Sequence, residues 1–356
     1  MKCLAGWRVL WNFATSFLGI AISCQKVLAI FRNNQVSTAI LLAIYIALLH
    51  LPAMLGWVAP PLKIGSGHGL LYGDIFGWLS ADSRRSAIAA FILVFIQALL
   101  VNYLVDSFRM MTDRNWVPGA MYALVVSCLP DMLFLSPALV AVTVVPISLS
   151  RVFSVYKQAS AFGAIFDSAF WLTLGALFHP PVAWLLPVCF AGFFSLRSFT
   201  SREQAVFFTG IFVPFMLALT AYFWFDAASA FMAGQFSQGL GFAMYSLPAD
   251  LHQVLKTGLI AILFLIVLFG FNVYYFKKLI QVQKYITILF WFLFAGLVAV
   301  LLHGNGRLEQ FILLMPPVAI FLSYSIQSLR NAFMAEVFHF ALFAGVFFVQ
   351  FFPGQS

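Results

Sequence analysis

The sequence predicts an all-α, polytopic transmembrane fold with about eleven spans. Three observations carry that reading. Only 8% of the 356 residues are Asp, Glu, Lys or Arg, 63% are hydrophobic, and the mean hydropathy is +1.00. The stretches between charges are apolar runs, several as long as the ~20-residue helix that crosses a bilayer. The basic residues sort into alternate loops. A chain so poor in charge cannot coat a soluble surface, whereas helices satisfy their own backbone polar groups in lipid.

Each span has its own boundaries. Residues 36–58 form an almost uninterrupted apolar run, and 86–105 begins just after Arg84 and Arg85. The run 116–130 stops at Pro130, and 134–150 stops before Arg151. Pro180 and Pro181 divide 160–178 from 181–196, which ends at Arg197. The seventh span, 204–225, lies between Glu203 and Asp226, and 254–275 ends before Lys277 and Lys278. The last three, 285–303, 311–327 and 333–352, are bounded by Lys284, the HGNGRLE loop and Arg330. The third to sixth spans are predicted as two short, proline-broken pairs, too short to stand upright across the bilayer. Such segments at midplane depth mark binding sites in some transporters, and packed re-entrant hairpins give the same pattern.

Orientation follows from counting. With the N-terminus cytoplasmic, fourteen of the nineteen Lys and Arg fall on the inner side. The outer side holds only Lys63, Arg84, Arg85, Lys256 and Arg307. This positive-inside bias predicts a multi-pass protein of the bacterial inner membrane with a periplasmic C-terminus. The net charge of +8 is read as topology, not as affinity for an acidic partner. Residues 1–35 are predicted as a cytoplasmic or interfacial extension and 36–356 as one transmembrane domain. Within the extension, 9–24 reads as an interfacial amphipathic helix, with a signal peptide and a further span as open alternatives.

Two outer loops are long enough to carry a site. The first, 59–85, contains LLYGDIFGWLS, predicted as a short amphipathic helix in the headgroup layer; the second, 226–253, has the same character. Titratable non-basic groups gather on this side: Asp74, Asp82, Asp131, Asp226, Asp250 and Glu309, with His68, His179, His252 and His303. Asp74 and Asp82 are ~80° apart if the segment is helical. An interfacial carboxylate can act as a general base toward a hydroxyl or take a divalent cation; it can also merely keep its helix solvated. Asp82 sits beside Arg84 and Arg85, where a local ion pair is the simpler reading. His179 precedes two prolines and either meets a phosphate or caps its helix. Arg307 and Glu309 share one tight loop; the arginine suits a lipid phosphate, with a plain Arg307–Glu309 pair as the alternative.

Asp167 lies within the fifth span, where an acid is costly unless paired or wet. Arg151 or Lys157, reaching in from the loop, is its expected partner, and a proton or ion path is the alternative role. Glu336 and His339 share a face of the last span, with a structural role expected. Cys3, Cys24, Cys128 and Cys189 read as small apolar residues. No phosphate-binding glycine loop, dinucleotide fingerprint, HExxH or GxSxG occurs, and no basic-aromatic pattern points to nucleic acid.

Three stretches carry a resemblance: YGDIFGWL, RVFSVYKQASAFGAIFDSAFWLTLGALFHPPVAWLLP and ILLMPPVAIFLSYSI. From about Val27 onward the chain resembles an uncharacterised family of polytopic bacterial inner-membrane proteins. That family is similar in layout to the GT-C class of glycosyltransferases, which use polyprenyl-phosphate-linked sugars. The resemblance implies a GT-C-like arrangement of spans. It places Asp74 where the outer-loop acid stands, His179 between two short spans, and Arg307 before a late proline-containing span. GT-C enzymes commonly have two close acids in the first loop and a large outer C-terminal domain; this chain has a lone Asp74 and no such domain. The implied partners are membrane lipids and a polyprenyl-phosphate-linked glycan used at the outer leaflet. Asp74 would be the base, with His179 and Arg307 on the lipid phosphate. A non-catalytic subunit of an envelope complex, packed on a membrane protein partner, and a small transporter or flippase remain alternatives, because a scaffold does not fix a function.

Overall fold

The computed structural model describes residues 27–32, 35–58, 70–238, 251–275, 278–303, 308–329 and 331–351. These residues are almost wholly helical, with no strand among them. The α-helices are α1 Val27–Arg32, α2 Val36–Met54, α3 Leu70–Ser80, α4 Ser83–Ser107, α5 Val117–Val126, α6 Pro137–Val142, α7 Val144–Ser154 and α8 Phe162–Phe178. They continue as α9 Leu185–Leu196, α10 Ser201–Trp224, α11 Ala228–Met232, α12 Leu251–Tyr275, α13 Ile280–His303, α14 Met315–Ser328 and α15 Ala332–Phe351. Eight stretches are long and apolar enough to cross a bilayer, and three shorter apolar stretches, Val117–Val126, Phe162–Phe178 and Pro180–Leu196, accompany them. All coincide with runs expected from the sequence. The protein is a multi-pass, all-helical integral membrane protein.

The third span is shorter than expected. Helix α5 stops at Val126, and Pro130–Leu133 follows as a separate 3-10 turn. Its ten residues rise only ~15 Å. Every one of them is buried, so neighbouring helices, not lipid, surround α5. The run 134–150 is likewise divided: Ser136 caps α6 by accepting a hydrogen bond from the Leu139 amide at 3.1 Å, and Thr143 separates α6 from α7. Proline starts these segments because its missing N–H costs nothing in a first turn. Leu308–Leu314 forms another 3-10 segment, leading into α14.

Helix α14 forms the centre, packed on α5 and α12. In the span Gln310–Ser328, 83% of residues are buried, against 17% in Ser201–Trp224, so α10 lies on the lipid-facing periphery. Two glycines set the closest crossings. A Cβ on Gly210 would meet the Phe166 carbonyl oxygen at 2.7 Å, fixing α10 against α8. One on Gly175 would meet Val144 Cγ2 at 2.5 Å, fixing α8 against α7. A buried amide in the interior shows how polar groups are held there. The Gln97 amide donates to the Leu139 carbonyl at 2.7 Å and to Thr143 Oγ1 at 2.8 Å, and it accepts from the Tyr122 hydroxyl at 2.7 Å. A buried amide is tolerated in lipid only on such terms.

The end of the predicted extension is structured. Helix α1 buries Leu28 and Phe31 against the bundle. The Glu336 carboxylate accepts from the Leu28 amide at 2.9 Å and the Ala29 amide at 3.3 Å, satisfying first-turn donors of α1. Glu336 therefore has the structural role expected of it. Residues 1–26, with the 9–24 segment, lie outside the described residues.

Candidate functional site

The best-formed polar feature at the acidic end of the bundle begins with α3. This helix spans the LLYGDIFGWLS segment named from the sequence. It is fixed by the buried Tyr72, whose hydroxyl donates to the Leu135 carbonyl at 3.1 Å, and by Phe76, which meets Phe178 with ring centroids 5.9 Å apart. The opposite side of α3 exposes Asp74, Ile75 and Trp78. Asp74 accepts a hydrogen bond from the Tyr222 hydroxyl at 2.5 Å. A phenol donating to a carboxylate is a charge-assisted bond, stronger than a neutral one.

Tyr222 is held from below. Its ring stacks on the fully buried Phe231 at 4.8 Å and 17°. The chain reaches Phe231 through a tight return at Asp226, which takes a left-handed φ of 55. Asp226 and Ala227 then hydrogen-bond back to the Phe223 and Tyr222 carbonyls. After α11 comes a π-helical stretch, Ala233–Gln238. Such stretches are rare and concentrate at functional sites. Here the stretch buries Gln235, whose amide donates to the Leu177 carbonyl at 2.9 Å in the last turn of α8.

Below this layer a groove of about 720 Å³ runs between α8, α9 and α10. Its walls include Leu177, Leu186, Phe208, Phe212 and Phe215, with Gln235 and Phe236 at one edge. Phe208 and Phe212 are more than half exposed, so the groove opens sideways to lipid. Its polar groups are few. Thr173 lines it, and the Thr173 hydroxyl is buried with no hydrogen-bond partner among the described residues. Ring contacts join groove to surface acid: Phe236 meets Phe215 at 5.9 Å, Phe215 meets Phe231 at 5.9 Å, and Phe231 carries Tyr222.

The other sequence-selected residues fall elsewhere. Asp82 is the N-cap of α4, accepting from the Arg84 amide and from Arg85 Nε, each at 3.1 Å. Those partners, the Arg84 amide first, hold its carboxyl below the usual range. Asp131 pairs with Lys256 at 3.3 Å, joining Pro130–Leu133 to α12. His179 ends α8 with only 3% of its surface exposed. Its neighbours Leu177 and Pro180 line the groove, and its ring packs inside. Asp167 sits at the opposite end, paired at 3.4 Å with Arg151, one of the two partners expected from the sequence. Arg307 lies outside the described residues, as does the Glu309 side chain. Among the described residues, no group of three or more His, Cys, Asp or Glu comes together to hold a metal ion.

The sequence does not mark Tyr222 or Gln235 as site residues, and it places Lys256 on the outer side without its partner Asp131. Tyr222 reads as one more aromatic at a span end, and its partner is 148 residues away. The fold and site thus define a multi-pass membrane protein with an interfacial Asp–Tyr pair above a lipid-open groove. Comparison of the chain with protein-family models, curated proteins and solved structures found no match.

Proposed function

We propose that the protein transfers a sugar from a polyprenyl-phosphate carrier to an acceptor hydroxyl at the outer leaflet of a bacterial inner membrane, in a GT-C-like arrangement. The observation that carries this reading is the aromatic path from the Asp74–Tyr222 pair to the lateral groove. The groove is apolar and open to lipid, as an isoprenoid chain requires. The carboxylate stands at the interface, where a polar headgroup and a water-borne acceptor meet. In this mechanism Asp74 takes the proton from the acceptor oxygen as that oxygen bonds to the sugar carbon. The carbon–oxygen bond to the carrier phosphate breaks, and the phosphate leaves with the bonding electrons. Tyr222 orients Asp74 toward the acceptor, and Arg307 is assigned to the departing phosphate. His179 is left out of this assignment because its ring is enclosed.

The test is complementation of a strain lacking the protein, with cell-envelope glycans profiled by mass spectrometry. Wild-type chain is expected to restore the profile. Asp74→Asn is expected to lose at least about 100-fold in product, the scale of a removed general base. A wild-type profile from Asp74→Asn would end the proposal.

A further inference from the structure

At the basic end of the bundle, far from Asp74, two lysines converge on one ring. Tyr156 follows α7, and Lys157 takes a left-handed φ of 58, a conformation that L side chains adopt rarely. The turn folds the Lys157 ammonium back to 5.5 Å from the Tyr156 ring centroid. Lys284, from the first turns of α13, brings its ammonium to 5.6 Å from the same ring. The ring is braced by Tyr285, 6.2 Å away at 78°. Tyr285 in turn stacks on Phe153 at 4.4 Å.

Neither lysine has a carboxylate within ion-pair distance among the described residues, and the Tyr156 hydroxyl makes no hydrogen bond there. Of the carboxylates at this end, Asp167 pairs with Arg151, Glu203 pairs with Arg197 at 3.0 Å and Asp106 accepts from the Asn102 amide at 3.5 Å, while Asp113 is exposed and makes no ion pair with either lysine. Two ammoniums within 5.6 Å of one ring centroid, with no carboxylate partner among the described residues, and a phenol that makes no hydrogen bond there offer donors to an anion. A third ammonium, Lys278, lies 5.2 Å from the Tyr324 ring and is half-buried. Burial pushes Lys278 below its ordinary range, a penalty that an arriving anion would relieve.

We infer that Lys157, Lys284 and Tyr156 form a seat for a phosphate group, presented by an anionic phospholipid headgroup or by a soluble phosphate. Basic clefts between spanning helices on the positively charged side of membrane proteins suit such headgroups. Ammonium ions on flexible stems recognise phosphate as a point charge, and the phenol adds a directed donor. The seat is independent of the transferase reading, because it lies at the other end of the bundle.

The test is native mass spectrometry of the detergent-solubilised full chain titrated with phosphatidylglycerol, phosphatidylcholine or inorganic phosphate. Phosphatidylglycerol is expected to bind in preference to phosphatidylcholine. The Lys157→Gln/Lys284→Gln double variant is expected to bind it about 30-fold more weakly. The charge-matched double variant Arg32→Gln/Arg202→Gln, at the same end, is expected to change binding less than about twofold. Displacement of phosphatidylglycerol by inorganic phosphate, with the same dependence on Lys157 and Lys284, would assign the seat to a soluble phosphate. Equal losses in the two double variants would show a diffuse positive surface and overturn the inference. So would equal binding of the two lipids.

Discussion

Tyr222 shows what one side chain does when two layers meet. It carries a surface acid on its hydroxyl and rests its ring on the buried Phe231. Tyr222→Phe keeps the stack and removes the donor. Asp74 is exposed, so water replaces the lost donor and the Tm should move little, while a base no longer held in one orientation should lower glycan product about tenfold. A fallen Tm with normal product would contradict the assigned role.

The Asp131–Lys256 pair is a different case, because Lys256 is 8% exposed. Removing one partner leaves a buried charge, so Asp131→Ala should destabilise the solubilised protein by about 3 kcal/mol. Asp131→Leu with Lys256→Met should recover most of that loss, and a thermal melt measures both. Asp82 makes a pH prediction. Its carboxyl is held below the usual range, so its N-cap contribution is complete above the unfolded pKa and is lost as pH falls through the folded one. Hydrogen exchange at the first amides of α4 should therefore rise only in strong acid, and Asp82→Ala should raise it at neutral pH. None of these pairings is legible in the sequence beyond its immediate neighbourhood. Asp82 with Arg85 and Asp167 with Arg151 were within reach of local reasoning; Asp74 with Tyr222 and Asp131 with Lys256 join residues more than a hundred positions apart.

The helices themselves were largely readable, because lipid demands long apolar runs and the charges mark their ends. The short helix expected at LLYGDIFGWLS appears as Leu70–Ser80. What the runs hid is internal breakage. Apolarity continues through 116–150 while the backbone changes from α-helix to 3-10 turn and back, because proline and serine reset the hydrogen bonding without altering hydropathy. The groove was hidden for the same reason: Phe208 and Phe212 look like any other lipid-facing aromatics. Its width depends on how closely α8 and α10 approach at Gly210. Gly210→Val forces a β-branched side chain into the Phe166 carbonyl and should destabilise by ~1–3 kcal/mol. Gly192→Ala, whose added carbon meets nothing closer than 3.6 Å, should be neutral or mildly stabilising in the same melt.

At the scale of the whole molecule, the two ends differ in chemistry. One carries Asp74, Asp82, Asp131 and Asp226 against Arg84, Arg85 and Lys256, with the short helix α3 and exposed Trp78 and Trp224. The other carries Arg109, Arg114, Arg151, Lys157, Arg197, Arg202, Lys278 and Lys284. A bilayer between them sorts these charges, and the proposed transfer needs the acidic end to face out. The most direct measurement is labelling of single cysteines at Gly73 and Lys157, in a chain with its native cysteines replaced, using a maleimide that does not cross the inner membrane. The account predicts that position 73 reacts in intact cells and that position 157 reacts only after the membrane is opened. Labelling of position 157 from outside, with position 73 protected, would contradict it.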